Sequence, residues 1–183
     1  MLEVSLDADT SDIAEVAPGL FLGGKTAAKH PPAGVRRIVN ATAHEPCHFD
    51  GRGVTYLHVD IEDTENAKIG KYFEQSSTFI GAGLDAGDAV LVHCSAGISR
   101  STTIVVAYLM QRHGISLEQA LEQVSAARPV AKPNAGFLTQ LQAWEAGLQA
   151  TRAAGSSSSS GGEAAAFPTS PGNRLGSGVK NWG

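Results

Sequence analysis

The apolar and polar positions of this chain follow two periods, one typical of strands and one typical of helices. Short apolar or alternating runs bounded by glycine, proline or charged residues predict strands. These runs lie around Val16 and at Leu20–Leu22, Arg36–Ala41, Val54–Ile61 and Ala89–Val92. Apolar residues recur at helical spacing in the segments 69–84, 117–124 and 137–148. The pattern predicts an α/β fold, in which a twisted, mostly parallel central sheet is flanked by helices on both faces.

The segment from Thr102 to Met110 is apolar nearly throughout and admits two interpretations. Its β-branched start, Thr102 to Val106, is typical of a strand. A buried helix is favoured, because the segment is about as long as an average globular helix. The basic residues Arg112 and His113 and then Gly114 also form a typical helix end.

Two later helix starts are marked by polar residues. Ser116 and Gln119 have the spacing of a capping box. Asn134 precedes the last helical segment and is predicted to be its N-cap.

The connection between the strand Ala89–Val92 and the favoured helix carries the most reactive side chains. Small residues in a loop that enters a helix N-terminus let several backbone N–H groups converge on one anion. The sequence therefore predicts a phosphate-binding loop between a central strand and a helix. Its residues are Ser95, Ala96, Gly97, Ile98, Ser99 and Arg100.

Cys94 is the predicted nucleophile of this loop. The electrostatic field that attracts an anion also favours a thiolate over a thiol. Arg100 adds a planar guanidinium that fits two phosphate oxygens, Ser101 is expected to donate its hydroxyl to the sulfur, and His93 is expected to support the loop through the backbone. A lone cysteine is more often a small buried apolar residue, but the neighbouring His, Gly, Arg and Ser favour the catalytic interpretation.

An acidic segment, residues 62–66, follows the predicted strand Val54–Ile61. Its simplest interpretation is a solvated loop. Cleavage of a phosphate ester, however, expels an alkoxide or phenoxide that needs a proton. Asp60, Glu62 and Asp63 are the candidates for this general acid.

The loop from His93 to Ser101 resembles the active-site loop of the dual-specificity protein phosphatases, a branch of the cysteine-dependent protein tyrosine phosphatases. The resemblance extends from about Ile13 to Gln149. Its other motifs occur in the family's order at Pro18–Gly23, Asn40–Thr42, Tyr56–Thr64 and Arg128–Phe137.

The resemblance implies a protein tyrosine phosphatase-like fold and a cysteinyl-phosphate intermediate. It implies phosphorylated proteins as substrates, with phosphotyrosine, phosphoserine and phosphothreonine all accepted by a shallow pocket. It assigns the general acid to Asp63, and it implies that Asn134 also supports the active-site loop. Arg128 matches a family position near the pocket rim, while its place at a helix end is equally consistent with a C-terminal cation. The resemblance implies no cofactor and no metal.

Two other functions remain open. One is a phosphoprotein-binding pseudophosphatase, and the other is a phosphatase that acts on a non-protein phosphate ester. The presence of Cys94, Arg100 and Asp63 favours an enzyme. The uncharged loop between Cys94 and Arg100 disfavours a polyanionic substrate.

Composition sets outer limits on the function. The chain has 183 residues and a net charge of −4, which gives no electrostatic footprint for nucleic acid or an anionic membrane as a partner. No apolar run approaches the ~20 residues that span a bilayer, and the first residues do not resemble a signal peptide. Two cysteines argue against a disulfide framework. We therefore expect a reducing compartment, the cytoplasm or the nucleus, and the family resemblance implies a role in signalling there.

The composition also predicts three segments. Residues 1–12 form an acidic flexible leader, residues 13–149 the catalytic domain, and residues 150–183 a disordered tail rich in Ser, Gly, Ala and Pro. His44, Cys47 and His48 invite a metal site, but a fourth ligand at a defined spacing is not evident. A disulfide between Cys47 and Cys94 under oxidation is a further possibility that the sequence leaves open.

Overall fold

The computed structural model describes residues 12–157 and is built around a five-stranded sheet in the order β1-β2-β5-β3-β4. The strands are β1 Ile13–Ala17, β2 Leu20–Gly23, β3 Val35–Asn40, β4 Thr55–His58 and β5 Ala89–His93. Strand β1 pairs with β2 in antiparallel fashion, and the other neighbours are parallel. The predicted fold class is confirmed, with β5 in the centre of the sheet.

Helices cover both faces of the sheet. They are α1 Lys25–Lys29, α2 Phe73–Asp85, α3 Arg100–His113, α4 Leu117–Ala127 and α5 Ala135–Ser157, and a 3₁₀ turn at Ile69–Tyr72 leads into α2. Helix α1 packs on the face that carries Ile38 and Leu91. The other four helices pack on the face that carries Val39 and Val92, as expected from the alternation of side chains along a strand.

The segment Thr102–Met110 is helical, as favoured. Every residue of α3 from Arg100 to Met110 is buried. Such a helix lies in the middle of a domain and is apolar on all sides, which explains why its β-branched composition is compatible with a helix. It ends at Gly114, whose φ of 72° is left-handed, and this conformation is easiest for glycine.

Strand β4 is shorter than the predicted strand Val54–Ile61. Its pairing with β3 ends at His58, opposite Asn40, and the Val59 N–H then donates to the Asn40 carbonyl oxygen. Beyond this point β3 offers no further partner, so the chain leaves the sheet. Val59 and Ile61 are nevertheless buried, which explains why they resemble strand residues in the sequence.

Contacts and helical structure extend across both predicted domain boundaries. Asp12, expected in the leader, accepts hydrogen bonds from the Thr26 and Ala27 N–H groups. Helix α5 continues beyond 149 to Ser157, and Arg152 ties it to the Met110 and Gly114 carbonyls. The remaining parts of the predicted leader and tail lie outside the described residues. No helix among residues 12–157 is long and apolar enough to cross a membrane.

Candidate active site

The predicted phosphate-binding loop lies at the carboxyl end of β5, where the chain turns into α3. Residues 94–99 form this loop, which we call the phosphate loop, and α3 begins at Arg100 without a side-chain cap. Among the described residues, none of the N–H groups of residues 95–99 donates to a backbone oxygen. The open helix N-terminus and these N–H groups together form an anion-binding cradle.

Cys94 is buried in this cradle, with 1% of its surface exposed. Its Sγ accepts hydrogen bonds from the Gly97 N–H and from the Ser101 hydroxyl, each at 3.2 Å. Burial alone raises the pKa of the Cys94 thiol, but the hydrogen bonds from Ser101, the charge of Arg100 and the Ile98 N–H lower the pKa below its usual value. The surroundings of Cys94 thus shift its equilibrium towards the thiolate, which is the direction expected from the sequence.

Arg100 lies across the opening of the loop and is 8% exposed. Its Nη1 donates to the Ile61 carbonyl at 3.3 Å and its Nη2 to the Ser95 hydroxyl at 3.1 Å. Its Nε is 3.5 Å from Asp63 Oδ2 but has no hydrogen-bond partner among the described residues. The guanidinium plane is thus held by neutral oxygens on one side and retains a donor for an incoming oxyanion.

Asp63 is brought to the phosphate loop from the other side. Its Oδ1 accepts hydrogen bonds from the Ser99 hydroxyl at 2.7 Å and from Asn134 Nδ2 at 2.9 Å. The connection that leaves the sheet after β4 makes this approach possible. It first places Ile61 in contact with Arg100 and then places Asp63 in contact with Ser99.

The two other acidic candidates do not approach the loop in this way. Glu62 Oε1 is 3.0 Å from His44 Nε2, and both side chains are exposed. Asp60 contributes its backbone carbonyl to the Tyr72 hydroxyl, and its side chain is exposed. Of the three carboxylates, Asp63 is the one that contacts the predicted site.

Asn134 serves two purposes. Its Oδ1 accepts the Phe137 N–H as the N-cap of α5, as predicted, and its Nδ2 holds Asp63. Its own N–H donates to the Ser99 hydroxyl. Asn134 thereby joins the acidic loop, the phosphate loop and α5.

His93 is the last residue of β5 and is fully buried. Burial lowers its pKa from 6.5 to about 4, although a contact with the Cys94 carbonyl, 3.4 Å from Nδ1, acts in the opposite direction. The imidazole is therefore neutral near pH 7. An imidazole with a pKa of about 4 is a weak base, which agrees with the expected supporting role of His93.

Arg128 is the C-cap residue of α4, which agrees with its interpretation as a cation at a helix C-terminus. Its side chain is 5% exposed and turns towards the phosphate loop. It donates to the Gly97 carbonyl from Nε at 2.8 Å and to the Ala96 carbonyl from Nη2 at 3.1 Å. A position at the end of α4 gives no signal that the side chain turns inward.

Two of the three residues that invited a metal site have other contacts. His44 pairs with Glu62, and Cys47 Sγ lies 3.7 Å from Asn40 Nδ2. Within residues 12–157, no three His, Cys, Asp or Glu side chains are grouped to hold a metal ion. Cys47 and Cys94 are both free thiols.

Comparison with known proteins agrees with this geometry. The family model of the dual specificity phosphatase catalytic domain matches residues 20–147. Dual specificity protein phosphatase 1 of Arabidopsis thaliana is 42% identical over 139 residues, which cover 73% of this chain and 69% of the relative. Dual specificity protein phosphatase 15 of Mus musculus is 41% identical over 132 residues, covering 71% of this chain and 56% of the relative.

A solved structure shows the same similarity in three dimensions. The mouse putative dual specificity phosphatase complexed with zinc tungstate superposes with a TM-score of 0.75 at 37% identity, and the match covers 80% of this chain and 94% of the mouse chain.

Proposed function

The chain belongs to the dual specificity phosphatase family and is a cysteine-dependent protein phosphatase, and we propose how its site residues share the reaction. The proposal depends chiefly on one observation: Cys94 Sγ accepts two hydrogen bonds inside a cradle of N–H groups closed by Arg100. A thiolate in that position is a nucleophile already aligned with the phosphate that the cradle would hold.

In the first step, the Cys94 thiolate attacks phosphorus and forms the S–P bond. The P–O ester bond breaks, and its electron pair passes to the leaving oxygen, which takes a proton from Asp63. The N–H groups of the phosphate loop and Arg100 stabilise the equatorial oxygens. Arg100 Nε, which has no hydrogen-bond partner within residues 12–157, donates to one of these oxygens.

In the second step, Asp63 accepts a proton from water, and the water oxygen attacks the phosphocysteine. The S–P bond breaks and its electron pair returns to sulfur. Ser101 is 3.2 Å from Sγ, so its hydroxyl stabilises the departing thiolate. His93 supports the loop as a neutral residue.

For substrates, we propose that proteins carrying phosphotyrosine and phosphoserine or phosphothreonine are accepted. Cys94 and Arg100 lie in a loop with no charged side chain between them, so the site supplies no added cation for a polyanion. We also propose a signalling role in the cytoplasm or nucleus, where a free nucleophilic thiol is kept reduced. Residues 13–149 are the proposed catalytic core, with α5 extending it.

The test is a Cys94→Ser variant with a Cys47→Ser control. The variant should lose turnover of an aryl phosphate and of phosphopeptides, while it still binds tungstate, because the cradle consists of backbone groups and Arg100. The control should retain both properties. Turnover by Cys94→Ser close to that of the wild type would contradict the assignment of the nucleophile. Retention of a bound phosphopeptide without cleavage by the wild type would instead favour a phosphoprotein-binding pseudophosphatase.

A further inference from the structure

Arg128 contacts the phosphate loop through the two peptide groups on either side of Gly97. The Ala96 carbonyl accepts from Nη2 and the Gly97 carbonyl from Nε. The opposite ends of the same two peptide groups are the Gly97 N–H and the Ile98 N–H. Arg128 therefore binds the carbonyl oxygens of these two peptide groups, and their N–H groups point away from Arg128.

Both N–H groups are directed at the nucleophile. The Gly97 N–H donates to Cys94 Sγ at 3.2 Å, and the Ile98 N–H is oriented so that it lowers the pKa of the Cys94 thiol. A charged donor on the oxygen of a peptide group polarises the group and strengthens the hydrogen bond that its N–H donates. The chain of contacts thus runs from the guanidinium, through two peptide groups, to sulfur.

We propose that Arg128 is a positioning residue of the phosphatase reaction, which polarises these two peptide groups and so stabilises negative charge on Cys94 and on the bound phosphate. The inference rests on the proposed role of Cys94 as the nucleophile. It assigns to Arg128 a part that is distinct from that of Arg100, since Arg128 is separated from the substrate by the loop itself.

A buried guanidinium needs a counter-charge, and Asp12 supplies it. Asp12 Oδ1 is 3.8 Å from Arg128 Nη2, while Oδ2 accepts the Thr26 and Ala27 N–H groups. The carboxylate thereby holds the guanidinium against the loop carbonyls and compensates part of its desolvation.

The loop has little freedom to move away from Arg128. A Cβ atom at Gly97 would lie 2.6 Å from the Gly23 carbonyl carbon and 2.8 Å from the Gly24 nitrogen. The Lys25 N–H also donates to the Ser95 carbonyl. The phosphate loop is therefore packed between the β2–α1 junction and Arg128, which keeps the two peptide groups aligned with sulfur.

Arg152 provides a matched control. It too donates to two backbone carbonyls, those of Met110 and Gly114, but these lie at the far end of α3. Loss of Arg152 removes hydrogen bonds of the same kind without touching the phosphate loop.

The experiment measures alkylation of Cys94 by iodoacetate as a function of pH in Arg128→Met, Arg128→Lys and Arg152→Met. Mass spectrometry of the Cys94 peptide separates its reaction from that of Cys47. We expect the midpoint of the Cys94 alkylation profile to rise by roughly one pH unit in Arg128→Met, because weaker hydrogen bonds to the thiolate favour the thiol. The shift should be smaller in Arg128→Lys, whose ammonium reaches only one carbonyl. Arg152→Met should keep the wild-type midpoint.

If Arg128 has only a structural role, its substitution should lower the melting temperature and leave the midpoint of the Cys94 alkylation profile unchanged. An unchanged midpoint in folded Arg128→Met overturns the proposal, and if that variant does not fold, an unchanged midpoint in Arg128→Lys overturns it. Alkylation needs no turnover, so this result is independent of the test of the nucleophile: an inactive wild type with a shifted variant midpoint would contradict the proposed function alone.

Discussion

Asp63 lies where one carboxylate contacts both catalytic elements. Its Oδ1 accepts hydrogen bonds from Ser99 and Asn134, and its Oδ2 is 3.5 Å from Arg100 Nε. An arriving phosphate would compete for Arg100, and this competition would leave Asp63 free to face the leaving oxygen. This position fits a role of Asp63 as the proton donor in a site whose other side chains are hydrogen-bond donors and cations.

Removal of Asp63 should therefore affect substrates in proportion to their need for a proton. General acid catalysis is worth ~10²–10⁴-fold, so Asp63→Ala should slow phosphoserine-peptide hydrolysis by a factor in that range. A nitrophenyl phosphate, whose leaving group needs little protonation, should lose much less. The measurement is kcat for both substrates, with Glu62→Ala as the control. Equal losses on both substrates, or the selective loss in Glu62→Ala instead, would contradict the assignment.

At the scale of elements, the start of α5 positions the acidic loop. A Cβ atom at Gly136 would overlap the Glu65 carbonyl oxygen, so this turn of the helix is packed directly against the backbone that follows Asp63. Gly147 lies in the same helix with nothing within 4 Å of such an atom. The two glycines therefore lie in the same helix, but only Gly136 is packed against a neighbouring backbone segment.

This difference predicts opposite effects of one substitution. Gly136→Ala should lower the free energy of unfolding by ~1–3 kcal/mol through overpacking and should reduce phosphopeptide turnover as the acidic loop is displaced. Gly147→Ala should raise the free energy of unfolding by up to ~1 kcal/mol, because alanine favours the helix, with turnover unchanged. Urea denaturation and kcat on a phosphopeptide measure both effects. A Gly136→Ala protein as stable and active as Gly147→Ala would show that the helix does not fix the loop.

The elements also show what the sequence could and could not predict. The order of strands and helices followed from local periodicity, and the residues of the phosphate loop followed from a strand–loop–helix pattern and a family resemblance. The early end of β4 depends on the length of its partner β3, and the inward turn of Arg128 depends on Asp12 more than a hundred residues earlier in the chain. Contacts between distant segments decide these features, and no local pattern carries them.

At the scale of the whole molecule, parallel strands bring the site together. The carboxyl ends of β4 and β5 lie at one edge of the sheet, so the connections that follow them deliver Asp63 and Cys94 to the same place. Helix α3 then runs from the site through the middle of the core, where Ile104 and Leu109 are fully buried. The reactive loop is thus anchored to the most buried strand and the most buried helix.

His93 joins this site to the stability of the molecule. Its pKa in the folded protein is lowered from 6.5 to about 4, chiefly by burial. The unfolded chain therefore binds more protons than the native chain between these two values. The stability contributed by neutral His93 is fully present above pH 6.5 and is lost as the pH falls towards 4. Below about pH 4 the loss of unfolding free energy from this residue amounts to about 3 kcal/mol.

The last prediction follows from this linkage. His93→Asn should be less stable than the wild type near neutral pH, since a buried ring is lost, but its free energy of unfolding should fall less steeply as the medium is acidified. The two proteins contain the same Asp and Glu residues, so the difference between the two slopes reports on the loss of His93. The exposed His30 gives the control, and His30→Asn should follow the wild-type slope. Urea denaturation at a series of pH values measures these slopes. If His93→Asn and the wild type lose stability in parallel, the fold does not keep the imidazole neutral. His93 would then support the active-site loop as a charged residue.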